Sequence, residues 1–129
     1  MSAADEVLVA CQQLLAAIDR QDWETYASLC DASLTAFEPE AAGHLVTGMD
    51  FHHYYFPPKS EPSKRQSSIS SPNVRVVGDC AIVAYTRLTQ SVDPLGEFHV
   101  SASNETRVWQ KQGERWKHVH FHRSPCSIG

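Results

Sequence analysis

The chain opens with apolar side chains at helical spacing. Val7, Leu8, Cys11, Leu14, Leu15 and Ile18 recur every three or four positions, and Ser2 with Asp5 forms a capping pair in front of them. This pattern predicts an amphipathic helix over about residues 3 to 20. Asp22 caps a second, short helix through Trp23, Tyr26, Leu29 and Cys30, after which Leu34-Thr35-Ala36-Phe37 reads as a strand. Thr47, Gly48, Met49 and Asp50 read as the start of a third helix that Pro57-Pro58 must end. Its content is dense in rings: Phe51, His52, His53, Tyr54, Tyr55 and Phe56.

From residue 57 to 72 the composition turns to Pro, Ser and Lys, the mark of a loop, within which Gln66 to Ser71 has edge-strand character. The period then becomes two. Asn73 to Val77 and Cys80 to Val92 flank Gly78-Asp79, a two-residue hairpin signature. Asp93-Pro94-Leu95-Gly96 turns the chain again, and Gln112-Gly113-Glu114 separates a strand ending near Gln110 from one running from Arg115 to about Arg123. Helices followed by an antiparallel meander predict an α+β domain, a curved sheet with helices on one face.

Composition narrows the class. The 129 residues carry 15 acidic against 11 basic side chains, a net charge of −4, and 42% hydrophobic residues. Such a chain makes a single domain over residues 1–129, and one that buries roughly 65–70% of its unfolded surface needs neither disulfide nor metal. It is too small for a protein kinase or a two-lobed dehydrogenase. With no basic run beyond Lys64-Arg65, it has no footprint for nucleic acid or an anionic membrane. The N-terminus is acidic where a secretory leader is basic, and no apolar run reaches the ~18 residues of a membrane span, so the chain reads as cytoplasmic. Cys11, Cys30, Cys80 and Cys126 lack a C-x-x-C pair; reduced thiols, the first three buried, are the expectation, with no cofactor or metal.

Parity on the strands sorts the chemistry. Arg87 shares a face with Val83 and Tyr85, Arg107 with Glu105 and Trp109, and Arg123 with Val119 and Phe121, while Ile82, Ala84 and Leu88 face the other way on a strand expected to be covered on both sides. An arginine cannot shed its charge, so each needs an acid, a solvated cavity or an anionic guest. Pairing with Glu38, Glu40 or Glu105 is the plain reading for any one of them. Three together point to a pocket that grips a carboxylate through guanidinium forks. His118, His120 and His122 fall on one face by the same parity, but three alternate positions span about 13 Å, too far for all to reach one ion. His52, near neutrality in its ordinary pKa, is the candidate general base. No phosphate-binding loop or nucleophile motif is present.

Several strings in order carry a resemblance: Thr35-Ala36-Phe37-Glu38-Pro39-Glu40, Met49-Asp50-Phe51-His52 with Tyr55-Phe56, Ala84-Tyr85-Thr86-Arg87-Leu88-Thr89-Gln90, Glu105-Thr106-Arg107-Val108-Trp109, and Val119-His120-Phe121-His122-Arg123-Ser124. Nearly the whole chain resembles the association (hub) domain of calcium/calmodulin-dependent protein kinase II. The resemblance implies a cone-shaped fold of the nuclear transport factor two-like superfamily, with a long N-terminal helix packed on a strongly curved antiparallel sheet around a deep pocket. It implies a non-enzymatic hub that assembles with itself into a two-layered ring, commonly a dodecamer or tetradecamer and here open to larger sizes. It also implies that Arg87, Arg107 and Arg123, with His52 and Glu38, bind small carboxylates or an acidic or tyrosine-containing segment of a kinase's regulatory or linker region in trans. The loop from Pro57 to Pro72 is shorter than the family's and lacks its tryptophan, the turn at Gly78-Asp79 is trimmed, and His118 replaces an aliphatic residue. No kinase or calmodulin-binding segment precedes the first helix, as expected of a cut-out domain or a free-standing hub homologue. The alternative is a small enzyme of the same superfamily, an isomerase, dehydratase or cyclase using His52 with Glu38 as base and arginines to hold an enolate.

Overall fold

The computed structural model describes residues 1–56 and 64–126. Helix α1, Ala3–Arg20, starts at a reciprocal capping box between Ser2 and Asp5 and ends at Gln21 in the left-handed region. It buries Val7, Ala10, Cys11, Leu14, Leu15 and Ala17. Helix α2, Trp23–Leu29, is capped by Asp22, whose carboxylate accepts from the Thr25 amide at 3.1 Å.

Among the described residues six strands form one sheet: β1 (Cys30–Phe37), β2 (Val46–Thr47), β3 (Lys64–Val77), β4 (Cys80–Val92), β5 (Phe98–Gln112) and β6 (Arg115–Cys126). Their order is β2-β1-β6-β5-β4-β3. Neighbours are antiparallel except β1 and β6, which run parallel, so the sheet departs in that one pairing from the all-antiparallel expectation. The long helix lies across the inner face, contacting β3, β4 and β6. Trp109, fully buried, donates its indole N–H to Cys11 Sγ at 3.2 Å and ties sheet to helix.

Four local expectations need correction. Thr47 belongs to β2, opposite Thr35, and the third helix is one turn, α3 (Asp50–His53), with no side-chain cap. A residue that reads as a cap is here recruited by a strand partner twelve positions away in the sheet ladder, which local sequence does not display. Pro57-Pro58, its expected stop, lie outside the described residues. The segment read as a loop up to Pro72 is strand from Lys64 onward; a bulge between Ser70 and Asn73, with Ser71 at φ 51, admits Pro72 on this edge strand. Strand β1 begins at Cys30 rather than Leu34, taking Cys30 from the second helix.

Two expectations about exposure also change. Cys80, expected inside, is exposed. On β4 the alternation holds, with Ala81, Val83, Tyr85 and Arg87 buried, but the opposite face is open: Ile82 is 40% and Leu88 37% exposed. Register places Phe98 opposite Val92 and Val100 opposite Gln90 on that outer face, and both are well exposed.

The fold assigns Trp109 the joint between helix and sheet. Trp109→Ala is expected to cost about 3–5 kcal/mol in urea denaturation. A loss below about 1 kcal/mol would contradict that role.

Candidate functional site

The inner face of the sheet closes with α1, α2 and the chain around Glu38–Phe56 on a cavity of about 240 Å³. All five residues singled out from sequence line it: Arg87, Arg107, Arg123, His52 and Glu38. Arg65, Glu40, Tyr26, Tyr55, Phe56 and Phe121 complete most of the wall.

At the floor, Glu105 organises the charge. Its Oε1 accepts from Arg107 Nη2 at 2.9 Å and from the Tyr85 hydroxyl at 2.6 Å, and Tyr85 in turn accepts from Arg107 Nε at 2.8 Å. The other oxygen accepts from Ser103 Oγ at 2.9 Å and lies 3.8 Å from Arg87 Nη1. Burial works to raise the Glu105 carboxyl, but the Arg107 and Arg87 charges and these hydrogen bonds overcome it and hold it at about 2. Arg107 also lies over the Phe121 ring, 4.6 Å from its centre. Arg87 donates Nη2 to Asp19 Oδ1 at 2.9 Å and Nε to Ser67 Oγ at 2.8 Å. The same Asp19 oxygen accepts from Arg65 Nε at 3.0 Å.

At the mouth, Arg123 Nη2 donates to both oxygens of Glu40, at 2.6 Å to Oε1 and 2.5 Å to Oε2. Each arginine of the trio thus holds a carboxylate, as the plain reading of pairing requires. The partners are Glu105, Glu40 and Asp19, not Glu38.

Glu38 instead accepts from the Tyr55 hydroxyl at 2.6 Å and stands 3.5 Å from His52 Nδ1. Burial pushes its carboxyl up, against the pull of that hydrogen bond and of Arg123. His52 is 2% exposed, and its Nε2 is buried with no hydrogen-bond partner among the described residues. Burial, then the Arg107 charge, lowers its pKa from 6.5 to about 4, so it is neutral at pH 7.

The three histidines of β6 part company. A bulge between Val108 and Trp109 of β5 pairs Val108 with His120 and Trp109 with His118, leaving Val119 without a counterpart. His118 is fully buried against Trp109 and Phe121, whereas His120 contacts the Thr35 hydroxyl at 2.7 Å and His122 packs beside Phe37. The extra residue reverses the alternation, so His118 shares the inner side with Phe121, and the expected common face of the histidines is lost. The cluster spaced to hold a cation, Asp93, Glu97 and His99, lies at the β4–β5 turn, away from the cavity.

Sequence reasoning passed over Asp19, Tyr85 and Arg65. Asp19 had a signal: it lies four residues after Leu15 and eight after Cys11, an acid on the apolar stripe of α1. Tyr85 stood on the arginine face of β4. Arg65 had none, since its bond to Asp19 spans 46 positions.

An α+β cone of this kind, with helices inside a curved sheet and a polar cavity between them, is the NTF2-like fold. A NTF2-like protein of Cytophaga hutchinsonii superposes with a TM-score of 0.79 at 20% identity, covering 98% of this chain and 100% of that one. The chain belongs to the calcium/calmodulin dependent protein kinase II association domain family, whose model matches residues 3–127. It is 47% identical over 122 residues to the calcium/calmodulin-dependent protein kinase type II subunit delta of Oryctolagus cuniculus, covering 92% of this chain and 23% of that protein. The chain therefore spans about a quarter of the length of the curated relatives it matches. Among solved structures, the CaMKII hub homology domain of Chlamydamonas reinhardtii is 48% identical with a TM-score of 0.90, covering 98% of this chain and all of that one.

His52 makes the cavity acid-sensitive. Its folded pKa lies below its unfolded value, so the unfolded chain binds more protons between pH 6.5 and about 4, and stability present above pH 6.5 is lost as pH falls through that window. Between pH 7 and pH 5 the loss from this one group is about 2 kcal/mol. His52→Gln is expected to flatten that dependence in denaturant melts at the two pH values; an unchanged slope would show that His52 is not the group held neutral.

Proposed function

We propose that the chain is a non-enzymatic oligomerisation hub that assembles with itself into a two-layered ring in the cytoplasm, its cavity receiving small carboxylates or an acidic or tyrosine-containing kinase segment in trans. Membership of the association domain family carries the hub reading. The outer face of β4 and β5 supports it: Leu88, Val100 and Phe98 form an exposed apolar patch, with Ile82 exposed further along the same face, the kind of surface that association covers. The domain over residues 1–129 needs no cofactor for this, and nothing in it calls for nucleic acid or a membrane. Among the described residues no helix is long and apolar enough to cross one.

Among the described residues, four guanidinium groups and two carboxylates, Glu38 and Glu40, line the cavity itself, which supports the anion reading. Asp19 and Glu105 balance the charge from behind. Ring size, whether dodecamer, tetradecamer or larger, depends on packing between copies.

The enzyme alternative has one observation in its favour, the 3.5 Å approach of His52 to Glu38. Its weakness is chemical. A base whose conjugate acid has a pKa of about 4 takes a proton from carbon poorly, because catalytic bases work best with a pKa near the operating pH.

Light scattering behind size exclusion tests the hub: a large assembly is expected, and a monomer of 14.4 kDa at micromolar concentration would end the proposal. For the cavity, Arg107→Ala is expected to weaken binding of small carboxylates or acidic peptides by at least about tenfold, because it removes a positive charge from the cavity floor. Lys111→Ala, far from the cavity lining, is the control; equal binding by the two variants would remove the pocket role.

A further inference from the structure

The carboxylates already inside the cavity differ in how easily they can leave. Glu105 is 2% exposed and engaged by Arg107, Tyr85 and Ser103, with Arg87 close by. Withdrawing it would strand the buried Arg107 guanidinium and leave Arg87 to Asp19 alone. Asp19 is 5% exposed and shared through one oxygen by Arg65 and Arg87, so an anion that drew Arg65 away would still face an acid held by Arg87. Glu40 is different. Its side chain is 43% exposed, that of Arg123 is 25% exposed, and a pair so open to water has little net strength.

The backbone carrying Glu40 is also lightly anchored. Glu40 is the middle residue of the 3-10 turn Pro39–Ala41, which has no side-chain cap and buries none of its residues. The turn leaves through Ala42 at φ 52 and Gly43 at φ 87, two consecutive left-handed residues, and a Cβ on Gly43 would meet nothing within 4 Å. Two residues upstream, Glu38 is held by the Tyr55 hydroxyl, which also interacts with Glu40, so an anion that draws Arg123 away leaves Glu40 a polar neighbour.

We propose that Glu40 is a built-in competitor for the cavity: its carboxylate occupies on Arg123 the place that an incoming carboxylate takes, and ligands bind by exchanging one carboxylate for the other. This rests on the carboxylate-pocket reading above and adds its regulation. Exchange keeps Arg123 paired at every stage, so the guest is charged only for displacing a weak, half-solvated contact. Arg107 and Arg87, locked to Glu105 and Asp19, set the positive field of the floor and the position of Tyr85, while Arg123 does the gripping. The competitor also screens: a neutral guest gains nothing at Arg123 and leaves Glu40 in place, so the mouth selects for anions.

Calorimetric titration of the assembled protein with butyrate, a plain carboxylate, tests this. Glu40→Gln, a half-exposed change that keeps the shape, is expected to tighten butyrate binding at least about threefold, the scale of a half-solvated ion pair expressed as an equilibrium constant. Glu40→Ala is expected to do the same, and Arg123→Gln added to Glu40→Gln is expected to abolish the gain. The remote acid Glu24, changed to Gln, is expected to alter nothing. If butyrate binds the native protein but Glu40→Gln binds no better, the competitor is overturned and the pocket reading stands. An equal gain from Glu24→Gln, or a gain that survives loss of Arg123, also overturns it, because the effect would then be one of overall charge. Failure of butyrate to bind native protein and Glu40→Gln alike would overturn the pocket reading and the competitor with it.

Discussion

The Glu105 carboxylate, enclosed between Arg107 and Arg87 on the inner face of the sheet, is the constraint around which the rest of the cavity is arranged. Two guanidinium groups brought out of water on adjacent strands need a buried anion within reach, and Glu105 lies two positions from Arg107 and opposite Tyr85 in the β4–β5 ladder. Tyr85 relays between the two, accepting from Arg107 and donating to Glu105. The second demand, an acid for the remaining face of Arg87, is met from the other layer by Asp19 at the end of α1. The ionic cluster therefore fixes how the helix lies on the sheet, and the Trp109 bond to Cys11 fixes it again one layer deeper.

Charge grades outward from that floor. Deep in the cavity every guanidinium is enclosed and matched, and the polar groups left over are neutral: His52, lowered by burial, and the Tyr55 hydroxyl on Glu38. At the rim the match is made by exposed groups, Arg123 and Glu40, in a medium where such contacts exchange readily. A cavity built this way has a tightly paired interior and a half-solvated entrance. The outer face of the same sheet exposes Ile82, Leu88, Val100 and Phe98 among polar neighbours such as Thr86 and Asn104, so one sheet lines a polar pocket on one side and, on the reading proposed above, offers an association surface on the other. That division of faces suits a hub that must hold its neighbours while still receiving a guest.

Much of this was legible in the chain. The capping box of α1, the hairpin at Gly78-Asp79 and the alternation of β4 follow from local rules, and Arg87, Arg107, Arg123, His52 and Glu38 do line one cavity. What escaped depends on partners distant in sequence or on a single extra residue. The bulge at Val119 reverses the facing of everything before it on β6, which hides His118 inside and defeats any parity count. Thr47 joins a strand because Thr35 lies opposite, and Asp19 matters because Arg65 and Arg87 converge on it. Even so, an acid on the apolar stripe of a helix was a visible request for a buried cation.

The dependence of the structure on the Glu105 anchor is measured most directly by a double-mutant cycle between Arg107→Met and Glu105→Gln, read by denaturant unfolding. If the pair organises the interior, the two changes are strongly non-additive, with a coupling of about 2–3 kcal/mol, because the first already removes what the second would break. Additive effects, with a coupling below about 0.5 kcal/mol, would contradict the account and leave the arginines held by something other than Glu105.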